Sequence, residues 1–343
     1  MRHIAAVILL AGASRVFACA PAPRAGEEVR VVEESAVIVW DPATKTEHFI
    51  RRATFHGGAH DFGFLVPTPS APVLTAVSDR LFDILADKTV RQVVDKRRRE
   101  IDWTPLVLLY FTSRKSAEIA TAAAPVEVVS TARVAGYEAV ILDVSDASAL
   151  QGWLRDHEYA ATPDLEQWAR PYVDAHWKIT AFKIDKTQSE LYARTEAVKM
   201  SFGTERPFFP YREPASQPAD DGRSLRVFFL GPQRVRGTIG AELWPGFLQW
   251  SNTLDADTRA EVAKVSGVAI AEGTRLTASI DTSRSRPGND DLFFVRDVDQ
   301  RPYAQPPLVR EYVETTNIPL DVVLVPIMLI AFFLRRRMHA QKT

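Results

Sequence analysis

Six side chains able to ligate or recognise a partner, His48, Arg51, Arg52, His56, His60 and Asp61, fall within fourteen positions of this chain. His56 and His60 stand four apart. On a helix that spacing would put both imidazoles on one face for a metal, with Asp61 as a third ligand. Gly57 and Gly58 lie between them and argue against a helix, so the expected form is a loop between two strands. Exposed, locally bonded histidines at a turn are the plainer reading. The six residues are therefore taken as a candidate ligand or partner site, and no metal or cofactor is assigned.

A second candidate is Phe208-Phe209-Pro210-Tyr211, where successive aromatics beside prolines in a loop are not expected all to face inward. Phe208, Phe209 and Tyr211 thus join the candidate binding residues. The tryptophans at 153, 168, 177, 244 and 250 could line a groove, but core packing is the more economical use for them. Acidic pairs at Asp290-Asp291 and at Asp297 and Asp299 do not follow a known calcium-loop spacing. Catalysis finds no support: there is no G-x-S-x-G elbow, no glycine-rich phosphate loop and no cysteine beyond Cys19. No catalytic residue is assigned.

Strand-like runs position the first candidate. Residues 28–40 are rich in β-branched side chains and stop at Asp41-Pro42, residues 48–55 suit a hairpin partner, and residues 62–66 are apolar until Pro67-Thr68-Pro69. Helical spacing follows at 77–86, and the charged run Lys96 to Arg99 reads as a solvated helix face. Residues 106–111 read as a buried strand or short core helix, and 126–129 and 139–144 as strands. Asp146 or Ser148 can cap a helix to about His157, and Thr162-Pro163 can open another to Ala175 that Pro171 should kink or end. Further strands are expected at 178–184, 198–202, 225–230, 276–280 and 292–295. The order implies an α+β fold with predominantly antiparallel sheet, a β-rich part over 21–145 and an α+β part over 146–300.

Both ends carry membrane signals. Residues 318–334 are a seventeen-residue run that is apolar apart from Asp321, followed by Arg335, Arg336 and Arg337, and as a helix it would reach roughly 25 Å. A transmembrane helix is the expectation, with a buried core helix as its rival. Residues 335–343 form a basic tail that the positive-inside rule puts in the cytoplasm, and 301–317 a proline-containing spacer. Residues 1–20 have the basic start, apolar core and small-residue cleavage pattern of a signal peptide, with a lipoprotein site at Cys19 as the competing reading. With one cysteine, no internal disulfide can form. A net charge of −1, with 46% hydrophobic and 25% charged residues, describes a globular body and excludes a nucleic-acid partner.

Several longer stretches, ESAVIVWDPATKTEHFIRRATFHG, DFGFLVPTPSAP, RVAGYEAVILD, WKITAFKI, RPFFPYREP and RPGNDDLFF, resemble the domain of unknown function 2330 family of bacterial proteins. The resemblance covers most of residues 28–297. It implies an extracytoplasmic domain, often preceded by a signal peptide and followed by a membrane helix, with no agreed activity. The expectation is a single-pass cell-membrane protein with its body outside, serving as a binding or scaffolding module of the envelope, with other envelope proteins as possible partners. An envelope hydrolase using the histidine-rich loop, with or without a metal, is the alternative.

Overall fold

The computed structural model describes residues 20–24, 27, 29–57, 61–102, 137–144, 146–185, 192–214, 224–283, 290–317 and 320–340. In chain order they form β1 (Ala20–Pro23), β2 (Val29–Asp41), β3 (Thr46–Gly57), β4 (Asp61–Thr68), β5 (Val73–Val77), α1 (Arg80–Thr89), β6 (Val93–Asp102), β7 (Tyr137–Asp143), α2 (Ala147–Asp156) and α3 (Pro163–Asp174). Then come β8 (Lys178–Asp185), β9 (Tyr192–Arg194), β10 (Ala197–Gly203), β11 (Phe208–Phe209), β12 (Ser224–Gly231), β13 (Val235–Ile239), β14 (Glu242–Leu243) and β15 (Phe247–Thr253). The last are α4 (Ala256–Ser266), β16 (Arg275–Asp281), β17 (Leu292–Arg296), β18 (Tyr303–Ala304), β19 (Leu308–Asn317) and α5 (Leu320–Ala340). The fold is α+β with mostly antiparallel pairing. Contacts divide the chain into two units, Met1–Val90 with Thr131–Gln305 and Arg91–Ser130 with Pro306–Thr343.

The first unit is layered. A nine-stranded sheet runs β18-β15-β16-β12-β2-β3-β10-β5, with β9 beside β3, and its one parallel pair among the described residues is β2 with β12. Alternation along these strands gives the sheet two apolar faces. One buries Val37, Ile50, Phe228 and Leu276 under α1 and α4. The other buries Ile38, Phe49, Phe55 and Phe229 against two four-stranded sheets, β1-β4-β8-β7 and β11-β17-β13-β14. The outer side of the first small sheet is covered by α2 and α3 through Leu154, Trp168 and Tyr172.

Local chemistry sets the helix ends. Asp146 caps α2 by accepting from Ala149 N at 2.8 Å, and Thr162 caps α3 with Pro163 in its first turn. Pro171 neither ends nor divides α3, which continues to Asp174; a proline removes one donor, and the buried faces of Trp168 and Tyr172 hold the turn on either side. Asp255 caps α4, and Gly267 closes it at φ 64°, a left-handed angle that costs glycine little.

Three expectations need correction. Val77 closes strand β5 instead of opening a helix, and Pro67-Thr68 continue β4, where they pair with Ile179 and Lys178. The run Lys96 to Arg99 lies in strand β6, paired in parallel with β19 from Val93↔Leu308 to Asp102↔Asn317. Lys96, Arg97 and Arg98 are exposed and Arg97 meets Glu314 at 3.2 Å, so the strand is dictated by ladder partners and not by an apolar stripe. Much of the stretch expected as a spacer is thus β19. Residues 106–111, expected as a buried strand or short core helix, the strand expected at 126–129, and the signal expected at 1–20, apart from Ala20 at the start of β1, lie outside the described residues.

In the second unit α5 follows β19 and leaves Met328, Ile330 and Phe333 at least 60% exposed. No helix among the described residues is long and apolar enough to cross a membrane. The uncharged part of α5 between Asp321 and Arg335 has thirteen residues, about 20 Å of helix.

Candidate functional site

Strand β3 divides the first candidate cluster between two faces. Its inner face carries Glu47, Phe49, Arg51, Ala53 and Phe55, all buried, and its outer face carries His48, Ile50, Arg52, Thr54 and His56. Arg51 is an inner-face residue. It pairs with Glu34 from β2, both buried, and its guanidinium stands 4.7 Å from the ring centre of Phe64. Arg52, on the outer face, lies 4.4 Å over Phe82 of α1 and 3.4 Å from Asp79. His48 and Arg52 are four residues apart along a strand, about 13 Å, so they do not form one site. His56 is half-buried beside Tyr192 in the ladder, and the backbone of Asp61 pairs with Asp185. His60 lies outside the described residues. Among the described residues no three of His, Cys, Asp and Glu gather to hold a metal.

The second candidate is core. Phe208, Phe209 and Tyr211 are 1%, 0% and 0% exposed, which corrects the expectation that they cannot all face inward. Phe208 and Phe209 pair with Phe293 and Leu292, and buried carboxylates satisfy polar groups of a segment whose prolines limit its own ladder. Glu47 accepts from Phe208 N at 2.9 Å. Asp291 accepts from Tyr211 N at 3.1 Å and from the Tyr172 hydroxyl at 2.7 Å. Asp281 accepts from the Tyr211 hydroxyl at 2.9 Å and from Trp244 Nε1 at 3.0 Å. Burial pushes the Glu47 carboxyl well above the carboxylate range and Asp291 up to about 6. Residues 207–214 and 290–294 are therefore brought together as one latch, in which Arg212 also meets Asp290 at 3.0 Å. Asp297 and Asp299 are engaged by Arg234 and Arg301 at 2.9 and 2.8 Å.

Of the described candidates, His48 lines a large concavity, a groove of about 770 Å³. Because β2 and β12 run parallel, their ends, Asp41-Pro42 and Gly231-Pro232, leave the sheet at the same edge. Residues 268–274, between α4 and β16, close the other side. Val39, Leu230, Val268 and Ile270 supply apolar lining, and Asp41, His48 and Glu272 supply polar groups.

The imidazole is held from behind. Its Nδ1 lies 2.8 Å from Ser201 Oγ, the residue opposite it on β10. Burial lowers its pKa, the neighbouring Lys199 charge lowers it further, and Asp41 opposes both. Lys199 itself donates to Ser266 O at 2.8 Å, capping the carbonyl end of α4. Asp41 accepts from Thr44 Oγ1 at 2.8 Å and Ala43 N at 2.9 Å, bonds that hold its carboxyl below the ordinary value. Ser201, Lys199 and Glu272 were not among the residues singled out from the sequence. Their nearness to His48 depends on pairing between strands far apart in the chain, although Asp41-Pro42 was visible as a turn.

No curated protein matches the chain, and no solved structure does. The bacterial family described as an uncharacterized protein conserved in bacteria (DUF2330) matches residues 13–271, and the chain belongs to that family.

Proposed function

We propose that the chain is a binding module of the bacterial cell envelope, tethered to the membrane by its C-terminal helix, with its body outside and the groove beside His48 as the recognition surface. The groove carries the binding reading: it has the size of a ligand cleft, an apolar lining and a few convergent polar groups. The tether is supported by the bare aliphatic and aromatic surface of α5 and by Arg335, Arg336 and Arg337 in its last turns. Its uncharged stretch is short for a bilayer, so Asp321 and Arg335 would sit at the two headgroup layers, the arginine reaching outward along its stem.

Fractionation of cells expressing the full chain tests the tether. The chain should sediment with membranes and resist alkaline extraction, and deletion of residues 318–343 should release the body outside the cytoplasm. Recovery of the intact chain from soluble cytosol, with its first twenty residues attached, would contradict the reading.

The hydrolase alternative has one observation in its favour, the hydrogen-bonded pair of Ser201 and His48. Its histidine-rich loop is divided, since His48 and His56 stand about 27 Å apart along the strand. Ester hydrolysis by the purified chain, abolished by Ser201→Ala, would put that reading first.

A further inference from the structure

The geometry points to a small ligand with an aliphatic stem and a cationic amine as the occupant of the groove beside His48. This rests on the binding reading above and names its ligand class. The half-buried Trp40 and Ile270, with the exposed Pro42 and Pro232, offer the stem an apolar surface, and Asp41, His48 and Glu272 beside it can each accept a hydrogen bond. Asp41 and Glu272 are carboxylates with no lysine or arginine partner among the described residues. His48 has Nδ1 engaged by Ser201, and its Nε2 has no hydrogen-bond partner among the described residues. An ammonium would meet two negative charges and a neutral ring there. An anionic ligand would meet the same two carboxylates, which disfavours phosphates and carboxylic acids. The nearby cation, Lys199, is turned to the last carbonyls of α4 and does not line the groove.

The same arrangement predicts how binding responds to pH. Lys199 and Asp41 are the charged side chains whose fields reach His48, and an imidazole is the group that changes charge between weakly acidic and neutral solution. Protonating it places an imidazolium beside the ligand's ammonium. Affinity should therefore fall as the pH drops through the His48 titration.

The test uses three probes with one stem and different ends: 1,6-diaminohexane, 1,6-hexanediol and adipate. Each is titrated near neutral pH into the full chain in detergent micelles, with the ring signals of labelled His48 followed by NMR and assigned with His48→Gln. The diamine should shift those signals and bind more tightly than the diol, and adipate should not bind. Asp41→Asn, which keeps an acceptor for the turn, and Glu272→Gln should each weaken the diamine about threefold to fivefold. Ala271→Trp, which fills the groove, should abolish binding. Diol or adipate binding as tightly as the diamine and blocked by Ala271→Trp would overturn the amine assignment but leave the groove as a binding site. Diamine binding indifferent to both carboxylate variants would do the same. No binding by any probe, or binding indifferent to Ala271→Trp, would overturn both readings.

Discussion

Glu47 and His48 are neighbours on β3, yet they serve opposite sides of the sheet. On the inner side Glu47 joins Asp281 and Asp291 in holding the segment from Phe208 to Arg212, with every carboxylate buried and engaged by a backbone or ring donor. On the outer side His48 shares a groove with Asp41 and Glu272, whose charges remain within reach of solvent. The contrast shows what burial does to a carboxylate. Enclosed among donors, it becomes a structural element whose loss unfolds something; left at a rim without a cation, it stays available to a ligand.

Removing the charge partner on the inner side should break this contrast most severely. Arg51→Ala leaves Glu34 buried without its ion pair and should cost about 3–5 kcal/mol in urea unfolding, while a properly refolded fraction keeps its groove. A cost under about 1 kcal/mol would mean that the inner face is not held by its charges.

The next effect is a pH dependence. Asp291 titrates at about 6 in the folded chain against 3.8 ordinarily, so its folded pKa is raised. The folded state then binds the proton more tightly than the unfolded state, and the stability this contributes is fully present below about pH 4. It is lost as the pH rises through about 6, a decline of about 2–3 kcal/mol. Asp291→Asn should flatten that part of a stability profile measured by thermal or urea unfolding. An unchanged slope would remove Asp291 as its source.

Tyr211→Phe deletes one donor to Asp281 while Trp244 Nε1 and Ser283 N remain, and should cost about 1–2 kcal/mol. The smallest effect belongs to the outer side. Lys199→Met removes the charge that depresses His48 and the cap on α4, so the His48 pKa measured by NMR should rise while stability falls by less than about 1 kcal/mol. A His48 titration that does not move would separate Lys199 from the groove's electrostatics.

Much of the scaffold was legible from residue patterns. The strands around 28–40, 48–55, 178–184 and 225–230 follow from β-branched and alternating residues, and α2 and α3 from the caps Asp146 and Thr162-Pro163. Strand β6 was hidden because its charged middle resembles a helix face, and its partner β19 lies more than two hundred residues away. The latch was hidden for a related reason. Phe208-Phe209-Pro210-Tyr211 has the composition of a loop, and only the distant Glu47, Asp281 and Asp291 make it suitable for burial. Of the candidate site, His48 and the Asp41-Pro42 turn could be read locally. Their meeting with Glu272 depends on β2 lying parallel to β12 and on the loop after α4, neither of which a local pattern specifies.

Hydrogen exchange on the full chain in micelles, with and without 1,6-diaminohexane, tests most directly whether β3 divides a binding side from a structural side. The account predicts added protection in residues 39–42 and 268–274 with the diamine, and no change in residues 207–214, which should already exchange slowly. Added protection confined to residues 207–214, with the groove segments unchanged, would contradict it.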